Sequence, residues 1–259
     1  MSTAIEILAR HLADARRERR HSSPFPTSII ETLAEAYEVQ KLATTAYGDP
    51  VSYKIGATSP TAQRMMGCDG PFFGPLFAED SHGDGETLAI DETMLAIECE
   101  FAFLMGKPAN PLLGAETAET IAASIESCHP AIEIVGRRVP TEGFPGLVDA
   151  VADYGLNARF IAGPAMIGWR EADLAGTLVR GHVDGVETNA GSGAQVLGHP
   201  LAALAWLANA LRAQGGGLKE GDWVTTGTCL GVVPIREDST VVGDFGPLGS
   251  VTVEFRGRA

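Results

Sequence analysis

Two carboxylates set two residues apart in an apolar run constrain this chain more than any other feature. The run is Ile97-Glu98-Cys99-Glu100-Phe101-Ala102-Phe103-Leu104. In a strand, successive side chains point to opposite faces, so Glu98 and Glu100 share one face while Ile97, Cys99, Phe101 and Phe103 share the other. The apolar face calls for a core to pack on. The acidic face holds like charges side by side, and their repulsion must be relieved by a cation, by protonation or by solvent. A second run, Pro130-Ala131-Ile132-Glu133-Ile134-Val135, sets one glutamate among apolar residues, where an unpaired charge is costly to bury. Three glutamate oxygens are hard ligands that suit Mg²⁺ or Mn²⁺, with positions left for a chelating substrate. The same residues admit a second reading, in which Glu98 and Glu100 line a wet sheet face and Glu133 pairs with Arg137 or Arg138.

Around these runs the pattern is mixed. Ile5, Leu8 and Leu12 fall on one helical face, and Ile30, Leu33 and Tyr37 on another, so two amphipathic helices are predicted before residue 50. Ser28 followed by Glu31 fits a capping box for the second. From there on, glycine and proline punctuate short apolar segments, with strands predicted at 53–55, 94–104, 131–135, 158–161, 177–183, 223–225 and 250–255. Helices are expected over 117–127 and from Pro200 to about Gln214, where His199 is a capping or packing residue and Gly215 to Gly217 end the turn. The expected architecture is α+β, with a helical N-terminal region over 1–50 and a β-rich catalytic domain over 51–259.

A formal charge of −14 argues against nucleic acid or another polyanion as partner. No apolar stretch approaches the roughly 20 residues that cross a bilayer, and the N-terminus lacks the order of a signal peptide, so a soluble, cytoplasmic protein is expected. Cys68, Cys99, Cys128 and Cys229 form no CxxC pair and read as ordinary thiols. The basic run Arg16, Arg17, Arg19, Arg20 is interrupted by Glu18 and reads as a solvated helix face. The glycines around Gly191 and Gly227 lack both the dinucleotide fingerprint and the P-loop Gly-Lys-Ser/Thr, and HExxH and GxSxG are absent.

Lys54, in Tyr53-Lys54-Ile55-Gly56-Ala57-Thr58-Ser59, is either a site lysine whose pKa responds to burial and charge or a snorkelling surface residue. Glu79, in Gly74-Pro75-Leu76-Phe77-Ala78-Glu79-Asp80, offers an acid or base or else belongs to an acidic turn.

Taken in order, Tyr53-Lys54-Ile55-Gly56, Glu98-Cys99-Glu100, Pro130 to Val135, Val151-Ala152-Asp153, Val196 to Asn209, Leu218-Lys219-Glu220-Gly221-Asp222 and Thr226-Gly227-Thr228 resemble the 2-keto-4-pentenoate hydratase and 2-oxo-3-hexenedioate decarboxylase family of the fumarylacetoacetate hydrolase superfamily. The resemblance implies a curved mixed sheet with a helical N-terminal part, assembled as a homo-oligomer. It implies Mg²⁺ or Mn²⁺ on Glu98, Glu100 and Glu133, Lys54 and Glu79 as catalytic residues, and Ser59 and Thr228 at the substrate.

It also implies hydration of a 2-hydroxy-2,4-dienoate to a 4-hydroxy-2-oxo acid in aromatic meta-cleavage catabolism. Decarboxylation of 2-oxo-3-hexenedioate, hydrolysis of an acylpyruvate, and a non-catalytic subunit partnered with a pathway decarboxylase or aldolase are the alternatives. Ala78, Gly136 and Tyr154 depart from the family pattern, and the last two suggest a pocket for a different or larger substrate tail.

Overall fold

The computed structural model describes residues 3–22, 29–109, 114–140, 143 and 145–257. Two helices lead the chain, α1 (Thr3–Arg17) and α2 (Leu33–Tyr47). Then come β1 (Pro50–Gly56), α3 (Pro60–Met66), β2 (Phe72–Phe77), β3 (Ser81–Gly83), β4 (Glu86–Ala89) and β5 (Met94–Met105). They are followed by α4 (Ala118–Ala122), β6 (Ile125–Gly136), α5 (Leu147–Ala152), β7 (Asn157–Ala162), β8 (Leu178–Val183) and β9 (Val186–Ser192). The chain closes with α6 (Pro200–Ala213), β10 (Trp223–Thr225), β11 (Val232–Pro234), β12 (Thr240–Asp244) and β13 (Ser250–Arg256).

One mixed sheet runs β2-β1-β10-β5-β6-β7-β3, with β11 also paired to β5, and a second runs β4-β13-β12-β8-β9. Register shifts near both ends of β5 bend the first sheet. Alternation along β5 decides how the two sheets meet. Ile97, Cys99, Phe101 and Phe103 are wholly buried in a core shared with Val241, Phe245, Val251 and Val253 of the second sheet, and the Phe101 and Phe245 rings meet edge to face at 5.0 Å. The opposite face carries Glu98 and Glu100.

Several local expectations shift. Ile5, Leu8 and Leu12 are buried on α1 as their spacing predicts, but α2 begins later than the run from Ile30 suggested. Its capping box is Thr32 with Glu35, and its buried stripe is Ala36, Val39 and Ala43, leaving Leu33 exposed. Ser28 lies outside the described residues. The helix expected over 117–127 stops at Ala122, because the 12-residue β5 needs a partner of its own length and takes Ile125 to Gly136 into the ladder. Among the basic residues of α1, Arg16 is 3% exposed rather than solvated. His199 caps α6 as read, its side chain accepting from the Leu201 amide.

α1 and α2 share a core with β2, α5 and the segment after it, including Leu8, Leu12, Val39, Phe77 and Tyr154. That contact carries Arg16 to the sheet. No helix among the described residues is long and apolar enough to cross a membrane.

Candidate metal and substrate site

Register assembles the site from four strands. Glu98 on β5 stands directly opposite Glu133 on β6, and Glu100 opposite Ala131. Lys54 on β1 pairs with Thr225 on β10, which pairs in turn with Ala102 on β5. Paired residues share a face of a sheet, so Lys54, Thr225, Glu98, Glu100 and Glu133 all project from one side. One carboxylate oxygen from each of the three glutamates lies within 4.8 Å of the other two.

The surrounding groups fix how these carboxylates point. Lys54 Nζ is 3.2 Å from Glu133 Oε1 and donates to the Gly155 carbonyl at 3.0 Å. Asn157 Nδ2 donates to the same Glu133 oxygen at 3.1 Å, and the Gly227 amide donates to Glu100 Oε2 at 2.7 Å. Each of these carboxylates thus has one oxygen engaged. The others, Glu100 Oε1 and Glu133 Oε2, are buried with no protein hydrogen-bond partner. Buried acceptors left open in this way call for a ligand of positive charge.

Two backbone segments exist to make these contacts. Tyr154, Gly155 and Leu156 are all left-handed, with φ of 53°, 65° and 62°, and this turn aims the Gly155 carbonyl at Lys54. A β-carbon on Gly155 would come within 3.0 Å of Lys54 Cδ. Gly227, at φ 101°, lies so close to Thr58 that any side chain would collide with it.

Crowding sets the charges. Burial pushes Glu98 up to about 7; Lys54 opposes that rise and Glu133 adds to it. Burial, followed by the Glu133 and Glu98 carboxylates, holds Glu100 well above the ordinary carboxylate range. Burial works against the Lys54 ammonium, but Glu133, Glu98 and Glu100 outweigh it and hold its pKa above the usual lysine value. The centre is therefore one cation short. Three oxygen donors with two orphaned lone-pair sites fit a hard divalent ion such as Mg²⁺ or Mn²⁺, held by Glu98, Glu100 and Glu133.

Beside the carboxylates lies a cavity of about 380 Å³ whose walls include Lys54, Glu98, Ser59 and Thr228. Ser59 caps α3 through its hydroxyl, which accepts from the Ala62 amide at 3.1 Å, and Thr228 donates to the Gly231 carbonyl at 2.9 Å. Glu79 stands elsewhere. It is exposed, near Gly48 at the entry to β1, and is not part of the cavity wall. Its neighbour Asp80 is buried between Arg16 and Arg159.

The pairing of Glu133 with Arg137 or Arg138 does not form, because Lys54 takes Glu133 and Arg138 is bound to Asp153 at 2.5 Å. Tyr154 and Gly136 are not among the residues that line the cavity. The Tyr154 hydroxyl reaches the Ala43 carbonyl at 3.2 Å, and Gly136 packs against Thr93 and Ala158. The Gly227 amide, the Gly155 carbonyl and Asn157 were not singled out from sequence. Gly227 left a trace there in the segment Thr226-Gly227-Thr228, and Asn157 as an amide at the head of the apolar segment 158–161.

Residues 71–256 match the model of the Fumarylacetoacetate (FAA) hydrolase C-terminal family. The chain is 33% identical to the TodF product hydratase of Pseudomonas putida over 97% of this chain and 95% of that protein. It is 32% identical to a 2-keto-4-pentenoate hydratase of Paraburkholderia phymatum over 97% of each. A solved 4-oxalocrotonate decarboxylase from Pseudomonas putida G7, complexed with magnesium and adipate, superposes with a TM-score of 0.87 at 29% identity, over 97% of both chains. With its helical N-terminal part, curved mixed sheet and triad of facing glutamates, the chain belongs to the 2-keto-4-pentenoate hydratase and 4-oxalocrotonate decarboxylase family of fumarylacetoacetate hydrolase-type proteins.

Proposed function

We propose that this protein is a metal-dependent hydro-lyase that adds water to a 2-hydroxy-2,4-dienoate, giving a 4-hydroxy-2-oxo acid in aromatic meta-cleavage catabolism. The observation that carries the reading is the trio of facing carboxylates, two of them buried with one oxygen open, beside a charged buried lysine at the wall of a cavity. A bound Mg²⁺ or Mn²⁺ supplies Lewis-acid stabilisation of the charge that collects on the substrate's 2-oxygen.

The chain's own groups do the rest. Lys54 directs its ammonium into the cavity wall, where it holds the substrate carboxylate or relays the proton that the terminal carbon of the dienol gains as the 2-hydroxyl gives up its own. That protonation leaves an enone, which accepts water at the carbon next to the terminus. Glu133 is held in place by Lys54 and Asn157, and Glu100 by the Gly227 amide, so the acidic face is set before substrate arrives. Glu79, exposed and away from the cavity, is assigned no part in the proton transfer.

Decarboxylation of 2-oxo-3-hexenedioate is the second reading, favoured by the superposition on the solved decarboxylase. Loss of carbon dioxide from that acid leaves the conjugate base of the same dienol. We also propose a cytoplasmic homo-oligomer, in which aliphatic side chains as exposed as Ile167 find a partner surface.

The test is an ultraviolet assay with enzymatically generated 2-hydroxypenta-2,4-dienoate in Mg²⁺, Mn²⁺ and EDTA. Metal-dependent loss of the dienoate absorbance is expected. No loss with either metal, together with bicarbonate release from 2-oxohex-3-enedioate, would replace hydration with decarboxylation.

A further inference from the structure

We infer that the cavity selects a 2-oxo acid with an extended, uncharged, apolar tail, and that Met65, Met66, Leu230 and Val232 form the tail subsite. The inference rests on the 2-oxo acid reading above and goes beyond it by naming which members of that class the site takes and which residues choose.

The direction of the tail follows from register. Val232 on β11 stands directly opposite Glu98 on β5. Facing residues share a side of the sheet, so the apolar wall begins one strand away from the acidic centre. Across the opening, α3 brings Met65 and Met66 to the same cavity. That helix is fixed at both ends, by the Ser59 cap and by the left-handed Gly67. Met65 is 61% exposed and Val232 46% exposed, two large apolar side chains left open to water at one mouth. Exposed apolar surface gathered at an opening reads as a binding surface. Methionine suits that role, because its unbranched thioether adapts to ligands of different shape.

Volume points the same way. A five-carbon acid occupies a minor part of about 380 Å³, a size that falls in the range used for larger ligands.

Charge settles the chemistry of the far end. Among the described residues, the ionisable groups of the cavity wall are Lys54, Glu98 and Cys229. Lys54 serves Glu133, the Gly155 carbonyl and the reacting end of the substrate, and burial holds the Cys229 thiol protonated, well above its ordinary range. Three carboxylates against one ammonium and one divalent cation leave the centre neutral before substrate binds. The substrate's first carboxylate already brings uncompensated negative charge into a chain of net −14. A second would enter an apolar wall with no cation to meet it.

A matched set of 2-oxo acids tests this by binding rather than turnover. The Mg²⁺-loaded protein is titrated calorimetrically with pyruvate, 2-oxohexanoate, 2-oxooctanoate and 2-oxoadipate. Affinity should rise from pyruvate to 2-oxooctanoate by about fourfold for each buried methylene. 2-Oxoadipate, which differs from 2-oxohexanoate in carrying a terminal carboxylate, should bind about tenfold more weakly or worse. Met65→Arg should narrow that gap severalfold by supplying the missing cation. Equal affinity for 2-oxoadipate and 2-oxohexanoate, or no gain with tail length, would overturn the inference. If no acid binds, pyruvate included, while the protein still binds Mn²⁺, the 2-oxo acid reading itself fails and the tail subsite falls with it.

Discussion

Asn157 donates a side-chain hydrogen to Glu133 Oε1 across 3.1 Å, and the other end of the same amide accepts from Arg16 Nη2 at 2.9 Å. The guanidinium, which can only donate, fixes which way the amide faces. A residue on the first helix therefore orients a carboxylate in the sheet. Asn157→Ala should weaken Mn²⁺ binding ten- to a hundredfold, as loss of a supporting hydrogen bond does at other metal centres, at a stability cost of about 1–3 kcal/mol. Calorimetric titration with Mn²⁺ and urea unfolding read the two effects separately, and unchanged affinity would show that Asn157 supports the fold alone.

Glu100→Gln should stabilise the metal-free protein while ending its response to metal. Burial and two neighbouring carboxylates hold Glu100 well above the ordinary range, so the metal-free fold resists its charge, and a neutral amide removes that strain while its oxygen still accepts from Gly227. Thermal unfolding should show a higher midpoint without metal and little further rise with Mg²⁺. Hydratase turnover should fall by at least about a hundredfold. A midpoint below that of the unaltered protein would contradict the charge account.

Lys54→Met takes away the buried ammonium and leaves three carboxylates facing one another. The metal-free protein should lose about 3–5 kcal/mol, as when one partner of a buried ion pair is removed. Mn²⁺ should recover part of this stability without recovering turnover, which should stay down by about 10²–10⁴-fold. Unfolding curves and steady-state rates measured on the same samples with and without Mn²⁺ distinguish the two roles of the side chain.

Asp80 gives the acid limb of stability. Burial favours its neutral form most strongly of any single influence, but Arg16 and Arg159 outweigh burial and hold its pKa below the usual aspartate value. A depressed carboxylate contributes stability that is present above its unfolded pKa of about 3.9 and is lost as pH falls through the lower folded value. Asp80→Asn should cost about 3–5 kcal/mol at pH 7 and flatten the loss of stability below about pH 4. Urea midpoints collected from pH 7 to pH 3 on both proteins provide the comparison.

The acidic face was legible because a period of two is visible in sequence. Glu98 and Glu100 had to share a side, and an isolated Glu133 in an apolar strand had to find a partner. What the sequence could not convey was register. Whether Glu133 meets Lys54 or Arg138 depends on the alignment of β5 with β6 and on the turn that aims the Gly155 carbonyl, and three successive left-handed residues carry no composition signal when two of them are Tyr154 and Leu156. Arg16 misled for a related reason. A basic run on a helix normally faces water, and its burial is set by ion pairing with Asp80, a residue 64 positions away. Glu79 and Asp80 show the limit most sharply, since adjacent acids reverse roles between surface and interior on the geometry of one short 3₁₀ turn.

The span recognised by the family model opens at residue 71, after Arg16 and Lys54. A fragment cut to that span would carry all three glutamates into its interior without the lysine that offsets them or the guanidinium that steadies their support. The span of the family model is thus shorter than the span of chain on which the site draws. Grafting this chemistry onto another scaffold would mean transplanting the leading helix along with the sheet.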